Sequence, residues 1–318
     1  MADFEGICAN TTFVLEPSSA DLLPEFLPQV MSTERFHEHS VQQSKGSVNP
    51  YINFRDLTWY EFALPPARHQ GSIAKVLERA RQAAHEAAQV RTALVSLRDA
   101  LIDDATWDSS CGQWSVPLVR VGDLLDGRPR NGLSPKASSE PGAVRSVTLS
   151  AIRDGRFTAD EDTEKWCEPS SRAPEFRVNA GDVFIVRGNG NRSLVGRAGL
   201  ALVKPEPACV YPDLLIRLRF EESRIDPFLA TALWNHERVH ERLLGRAKSS
   251  NGIYKVNGMD ISSHELPVPP AAEGRALLSR LRAIDELQSL CEVHAVAADK
   301  LVPALREKVL LPDGLRDV

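Results

Sequence analysis

The 318-residue sequence has no apolar run approaching the roughly 18 residues that a membrane-spanning helix requires. Its first residues, MADFEGICANTT, lack the basic and apolar stretches of a secretion signal. Cysteine is scarce, and no two cysteines form a C-x-x-C pair among Cys8, Cys111, Cys167, Cys209 and Cys291. An odd, dispersed set argues against a disulfide framework and against a zinc cluster. We therefore expect a cytoplasmic protein with reduced thiols.

Most signatures of catalysis are also missing. The sequence contains no Asp/Glu-x-Lys pair of the nuclease type, no Asn/Asp-Pro-Pro-Tyr/Phe motif of amino-methyltransferases, no G-x-S-x-G and no phosphate-binding G-x-x-x-x-G-K-S/T loop. The sequence therefore predicts a protein without its own catalytic centre.

The exception is an H-E-x-x-H pattern formed by His236, Glu237 and His240. On a helix, the two histidines would share one face and ligate zinc, with the glutamate as general base. The flanking residues are highly charged, however, and Leu243 breaks the extended form of the motif. An amphipathic helix is the favoured interpretation, and a zinc peptidase is the alternative.

Charge is distributed unevenly along a chain of net charge −5. Residues 1–64 hold 3 basic and 9 acidic residues, whereas residues 105–268 hold 22 and 21. No acid lies between Asp182 and Glu206, a stretch that contains three arginines and a lysine. A locally basic surface on a mildly acidic chain suits a nucleic-acid partner that is held by several contacts.

The sequence contains an internal duplication. Residues 25–66 are similar to residues 227–270 at an offset of 202 to 204. The matching positions include Tyr51 with Tyr254, Asn53 with Asn257, and the two Pro-Pro pairs that end the segments. Each Pro-Pro pair precedes a long stretch in which apolar or small residues alternate at spacings of three and four, the pattern of a coiled-coil seam. We expect long helices over 67–104 and 272–310, packed antiparallel, with a kink at Pro303.

The fold class predicted from these patterns is α+β, a mixed α/β domain combined with two long antiparallel coiled-coil helices. Short β-rich runs bounded by Gly, Pro and Asn precede a single helix expected over Pro227–Leu244. The first copy of the duplicated unit lacks the counterpart of roughly 105–203, so we expect an incomplete fold with unpaired strand edges. Its exposed side chains would include Phe13, Leu15 and Phe26.

Two loop segments of the second copy carry side chains suited to nucleic acid. Arg187-Gly188-Asn189-Gly190-Asn191-Arg192 follows the strand predicted at Asp182–Val186. Lys248-Ser249-Ser250-Asn251-Gly252-Ile253-Tyr254-Lys255 mixes small, basic and aromatic residues. Asn and Arg pair bidentately with adenine and guanine, and small or basic residues lie along phosphates. Structural turns are the alternative interpretation of both segments.

The order of these segments resembles that of one family. A domain ending in N-G-I-Y-K-V-N-G-M-D-I and L-P-V-P-P (251–270), followed by a heptad helix in a duplicated unit, is similar to the specificity subunit of type I restriction-modification systems. Supporting segments are Trp114-Ser115-Val116-Pro117-Leu118 and Gly181-Asp182-Val183-Phe184-Ile185-Val186-Arg187. The chain departs from the family pattern because the first recognition domain lacks its first half.

The resemblance implies a non-catalytic subunit that recognises half of a bipartite double-stranded DNA target and binds DNA adenine methyltransferase subunits through its helices. A separate restriction subunit would act as motor. The chain itself would hold no cofactor, because S-adenosylmethionine and ATP would be bound by the partner subunits. A truncated scaffold that no longer binds DNA is a further alternative.

The domains expected on this basis are part of a first target-recognition domain (1–64), a spacer helix (65–106), a second recognition domain (107–268) and a C-terminal spacer helix with tail (269–318). The side chains expected to face DNA are inferred from loop position and residue type: Lys136, Arg187, Asn189, Asn191, Arg192, Arg197, Ser250, Asn251, Tyr254 and Lys255.

Overall fold

A computed structural model describes residues 6–9, 11–134, 136–138, 144–250 and 252–310. The described residues form two compact units. One unit comprises those of 1–94 and 286–318, and the other comprises those of 95–285. No helix of the described part of the chain combines the length and the apolar character needed to cross a membrane.

Helices come first along the described chain, and most of the strands lie between the two longest helices. The helices are α1 (Leu27–Met31), α2 (Glu34–Gln42), α3 (Phe54–Leu57), α4 (Ala67–Thr106), α5 (Val121–Leu124), α6 (Pro227–Asn235), α7 (Glu237–Leu244), α8 (Gly258–Ser262) and α9 (Ala271–Leu310). The strands are β1 (Trp107–Asp108), β2 (Gln113–Trp114), β3 (Leu118–Arg120), β4 (Arg130–Asn131), β5 (Val144–Val147), β6 (Ile152–Arg153), β7 (Arg156–Phe157), β8 (Glu164–Cys167), β9 (Val183–Val186), β10 (Gly188–Asn189), β11 (Ala198–Leu200), β12 (Leu215–Leu218), β13 (Lys248–Ser250), β14 (Ile253–Lys255) and β15 (Glu265–Pro267).

A six-stranded sheet organises the second unit, in the order β4-β12-β9-β11-β7-β6. Strand β9 is buried along its whole length and pairs antiparallel with both β12 and β11. Because side chains alternate across a strand, Ile185 joins a core with α6 and α7, and Phe184 joins a second core with Phe176 and Tyr211. The sheet therefore has an apolar cluster on each face.

The two long helices occur where the heptad pattern predicts them. α4 and α9 each contain 40 residues, two more than the predicted 67–104 and one more than the predicted 272–310. α9 continues through Pro303 and does not end there. The α+β class with two long helices is thus confirmed.

The duplication extends to the details of capping. Asn53 caps α3 and Asn257 caps α8, and in both places the aspartate three residues on, Asp56 or Asp260, completes a capping box with the backbone of the cap. Each cap satisfies amide groups that the first helical turn leaves without partners. The same local chemistry therefore forms the same turn in both units.

The helix predicted over Pro227–Leu244 is interrupted, which corrects the expectation. α6 ends at Asn235 and α7 begins at Glu237, with His236 in an extended conformation between them. The side-chain amide of Asn235 bonds both the backbone N–H and the carbonyl of Ala198 in β11. This pairing ties the chain to the sheet at the point where the helix breaks.

The expectation for the N-terminal segment was wrong at Phe26. This side chain is fully buried beside Val30, because Leu22, Leu23, Tyr60, Phe62 and Ile73 pack around the two. The described part of 1–64 contains three short helices and one isolated β-bridge, between Lys45 and Tyr51, in place of the predicted open strands. Phe13 is exposed, as expected.

Candidate nucleic-acid interface

A three-stranded antiparallel sheet brings the two predicted loop segments together. β14 is its central strand, with β10 on one side and β13 on the other. Gly188 faces Lys255 and Asn189 faces Tyr254, although about 65 residues separate the two segments. Of the selected residues, Asn189, Ser250, Tyr254 and Lys255 therefore lie in one small sheet, and Arg187, Asn191 and Arg192 lie just before or after β10.

The hairpin between β13 and β14 has the sequence of a tight turn. Gly252 has a φ of +75°, the left-handed conformation that glycine adopts without strain. Asn-Gly is the preferred pair for a two-residue hairpin. The backbone of Ser250 pairs with Ile253, while Asn251 lies outside the described residues. The hairpin extends β14 away from the core, which leaves Ile253 and Lys255 exposed.

Lys255 ends β14, and Arg187 immediately precedes the neighbouring strand β10. A Cβ on Gly188 would lie 3.0 Å from Cγ of Lys255, so the absence of a side chain there lets the lysine cross β10. The carbonyl of Arg187 accepts a hydrogen bond from the amide of Val256, and its guanidinium lies 3.9 Å from the carboxylate of Asp213. Backbone pairing thus places two cationic residues, Arg187 and Lys255, next to each other.

Asn189 and Asn191 form the turn that follows β10. Oδ1 of Asn189 accepts from the amide of Asn191, and Oδ1 of Asn191 accepts from the amide and hydroxyl of Ser193. No described residue accepts a hydrogen bond from the amide nitrogen of either asparagine. Each side chain is therefore fixed through its oxygen, while its donor stays available.

Arg192 and Arg197 have different surroundings. Arg192 is exposed and makes one long bond, 3.5 Å, to the carbonyl of Leu244. Arg197 donates to the carbonyls of Ser193 and Asn235, and burial lowers the pKa of its guanidinium. Its position favours a structural role at the end of α6 over contact with a partner.

Tyr254 and Lys136 complete the predicted set. The ring of Tyr254 is half-buried and packs against the apolar core that contains the α6 residues. This contact supports β14. Lys136 is exposed next to the bridge between Ala137 and Cys167. No hydrogen bond or ion pair of the described residues joins Lys136 to the three-stranded sheet.

Arginines on β4, on and just after β12, and in the 172–177 segment form a group that the sequence alone did not reveal. These residues lie far apart in the sequence, and no local motif marks them. Contact between them depends on the pairing of β4 with β12 and on the packing of Phe176 beneath that edge. Only the folded sheet brings them together.

The H-E-x-x-H pattern serves the packing of α7. His236 precedes the helix, and its Nε2 lies 3.4 Å from the carboxylate of Asp103 in α4. Nε2 of His240 donates to the carbonyl of Val195 at 2.7 Å. No three His, Cys, Asp or Glu side chains of the described residues are grouped as a ligand set. The structure therefore gives the zinc-peptidase alternative no support.

A zinc titration checks this conclusion. Because the Nε2 of His240 is committed to a carbonyl and His236 lies outside the helix, we expect stoichiometric zinc to leave the melting temperature unchanged. Zinc binding at a structural site would instead stabilise the folded state in proportion to its occupancy. A rise in melting temperature that is lost in His240→Gln would contradict the assignment.

Comparison with known proteins identifies the fold. No model of a protein family matches the sequence, and no curated protein matches it. The S subunit of a type I restriction-modification system from M. genitalium is similar over 92% of this chain and 74% of its own, at 14% identity and a TM-score of 0.58.

Two further solved structures are of the same kind. A chain from a structure concerned with complex assembly and conformational transition of the type I R-M system is similar over 91% of this chain and 71% of its own, at 19% identity and a TM-score of 0.52. The HsdS subunit from Thermoanaerobacter tengcongensis covers 91% and 70%, at 18% identity and a TM-score of 0.44. On the two structures with TM-scores of 0.58 and 0.52, the chain has the fold of type I restriction-modification S subunits, which confirms the predicted resemblance at the level of the fold.

Proposed function

We propose that this chain is the specificity subunit of a type I restriction-modification complex and that residues 107–268 recognise one half of a bipartite DNA target. The pairing of β10 with β14 carries the proposal, because it joins two basic and amide-rich segments in one small sheet. The S-subunit fold supports the same function.

In this proposal the chain acts in the cytoplasm and catalyses no reaction. Its long helices bind DNA adenine methyltransferase subunits and bring the restriction subunit to the same complex. S-adenosylmethionine and ATP are bound by those partners. The chain contributes the choice of DNA sequence.

The roles of the side chains follow from their geometry. The free amide donors of Asn189 and Asn191 suit base edges, whereas Lys255 and the exposed Arg192 suit phosphates or guanine. Arg187 contributes positive charge beside them. Arg197 and Tyr254 support the sheet, and Lys136 is a separate phosphate contact. Ser250 and Asn251 stay predicted contacts with the DNA backbone, inferred from residue type alone.

Adenine methylation in cells tests the function directly. The full chain is expressed with type I modification subunits in a host without other methyltransferases, and methylated adenines are mapped by single-molecule sequencing. We expect methylation at one defined sequence. A complex that assembles but methylates no defined sequence would identify the chain as a scaffold and contradict the proposal.

Substitution of Asn189 and Lys255 is expected to separate base from phosphate contacts. Asn189→Ala is expected to cost about 1–3 kcal/mol of binding and to change the base accepted at one position. Lys255→Ala is expected to weaken binding to all DNA sequences by the same factor, because a phosphate contact carries no sequence information. Equilibrium binding of the assembled complex to single-base variants of the mapped target measures both effects.

Lys204→Ala is the matched control for Lys255→Ala. Lys204 is exposed, and its ammonium lies 3.3 Å from Glu206 on a loop that no described hydrogen bond joins to β10 or β14. The Lys204→Ala substitution removes the same charge from the same domain as Lys255→Ala. Equal losses in Lys204→Ala and Lys255→Ala would place the interface elsewhere.

A further inference from the structure

An arginine cluster occupies the edge of the six-stranded sheet at β4. Arg130 in β4 is paired with Arg217 in β12, and Nη1 of Arg217 donates to the carbonyl of Arg177. Arg219 binds Asp182 through Nε at 2.7 Å. The cluster consists of Arg130, Arg172, Arg177, Arg217 and Arg219.

Phe176 holds two of these guanidinium groups in place. The Cζ atoms of Arg130 and Arg172 lie 4.6 and 5.2 Å from the centroid of its buried ring. Cation–π contact orients a guanidinium while leaving its N–H groups free for a second partner. Glu175 binds both arginines, yet their side chains remain 41% and 61% exposed. The two groups are therefore preorganised and accessible.

Positive charge exceeds negative charge at this edge. The five arginines are accompanied by Glu175, by the buried carboxylate of Asp182 and by Asp126, which faces Arg219. The exposed side chain of Arg177 has no hydrogen-bond partner among the described residues. Buried Asp182 is already committed to β12, so the solvent-facing part of the cluster is cationic.

The cluster continues toward the three-stranded sheet. Pro129, next to Arg130, lies 3.7 Å from the position that a Cβ would take on Gly258, the first residue of α8. Asn257 caps this helix, and the preceding Val256 binds the carbonyl of Arg187. The contact of Pro129 with Gly258 and the bond of Val256 to Arg187 therefore connect the arginine cluster with the proposed recognition sheet.

We propose that the arginine cluster binds the phosphodiester backbone of the DNA whose bases the β10–β14 pair recognises. This inference rests on the proposed function. Guanidinium groups bind phosphate bidentately, and the rigid support of Phe176 removes part of the ordering cost. The cluster supplies affinity and orientation, and the sequence preference comes from the neighbouring sheet.

Salt dependence of DNA binding tests this inference. The full chain is titrated with a random-sequence duplex over a series of salt concentrations. Each lost phosphate contact lowers the slope of log affinity against log salt by about 0.9. We expect Arg172→Gln to lower the slope by about one unit and Arg130→Gln/Arg172→Gln by about two. The order of preference among target variants stays unchanged.

Arg153→Gln provides the control. Arg153 lies in β6 at the opposite edge of the same sheet and is exposed, so its substitution removes one charge from the same unit. We expect the slope of this variant to equal that of the unsubstituted chain. A slope that falls equally in Arg153→Gln and Arg172→Gln would show a general charge effect and overturn the inference.

Three other outcomes are decisive. An unchanged slope in the double variant overturns the inference that the cluster binds phosphate, while leaving the proposed function intact. Loss of binding to the modification subunits, with DNA affinity retained, would assign the cluster to an acidic protein surface and also overturn the inference. Failure of the unsubstituted chain and its complex to bind any duplex would refute the proposed function, and the inference with it.

Discussion

At pH 4.5 the module formed by residues 95–285 is expected to be about 5 kcal/mol less stable than at pH 8. Two buried histidines account for this loss. Burial lowers the pKa of His240 to about 4, with Arg197 adding to the effect. Burial lowers the pKa of His264 to about 3, and Arg242, Arg246 and His240 add to it.

The surroundings of each ring explain why it resists protonation. His240 uses its Nε2 proton to bond Val195, and a second proton would enter a site beside the guanidinium of Arg197. His264 packs edge-on against Trp234, with ring centroids 5.0 Å apart, and neither of its ring nitrogens has a hydrogen-bond partner among the described residues. A buried charge without a partner is costly.

The direction of the pH effect follows from these lowered pKa values. Above about pH 6.5 both histidines are neutral in the folded and unfolded chains, so they contribute no pH dependence. As the pH falls below 6.5 the unfolded chain takes up protons that the folded module cannot accept. Stability therefore falls by roughly 1.4 kcal/mol per pH unit for each histidine until the pH reaches the pKa of the folded state.

Urea unfolding at a series of pH values measures this effect. Four of the five tryptophans of the chain lie in the module, so tryptophan fluorescence reports its unfolding. His264→Phe and His240→Gln are each expected to remove about 1.4 kcal/mol per pH unit from the slope between pH 6 and 4.5. His294→Gln, at an exposed position of α9, is the control. A pH profile that is the same in all three variants would contradict the assignment.

Features that depend on short stretches of sequence were predictable. The heptad spacing located the ends of α4 and α9 to within two residues, because apolar residues that recur every three or four positions mark one face of a helix. The duplication was visible for the same reason, since Asn53 with Asp56 and Asn257 with Asp260 form the same local capping box. The two loop segments selected from residue type are joined by the pairing of β10 with β14, and their contact with DNA stays a prediction.

Features that depend on long-range packing were not predictable. Arg130, Arg172 and Arg217 become neighbours only through the pairing of β4 with β12, and their spacing in the sequence contains no sign of it. Arg197 was selected as a DNA contact, yet in the fold its guanidinium bonds two carbonyls that lie 4 and 38 residues away. The break at His236 likewise arises from the contact of Asn235 with β11.

Asp182 is the buried anchor of the arginine cluster. Its side chain is 1% exposed, accepts from Nε of Arg219 at 2.7 Å and from the amide of Asn179 at 2.9 Å, and lies 3.9 Å from Nη1 of Arg217. Arg217 is itself 9% exposed. Because no other described carboxylate forms an ion pair with Arg217, the loss of Asp182 would leave a buried cation without its counter-charge.

Asp182→Asn is therefore expected to lower the free energy of unfolding of the module by about 3–5 kcal/mol, the cost of removing one partner of a buried ion pair. Glu175→Gln is the matched control, because Glu175 also binds two arginines of the cluster but is 48% exposed. An exposed pair contributes about 0–1 kcal/mol. Urea unfolding at neutral pH distinguishes the two variants, and equal losses would show that burial of Asp182 does not set the strength of the anchor.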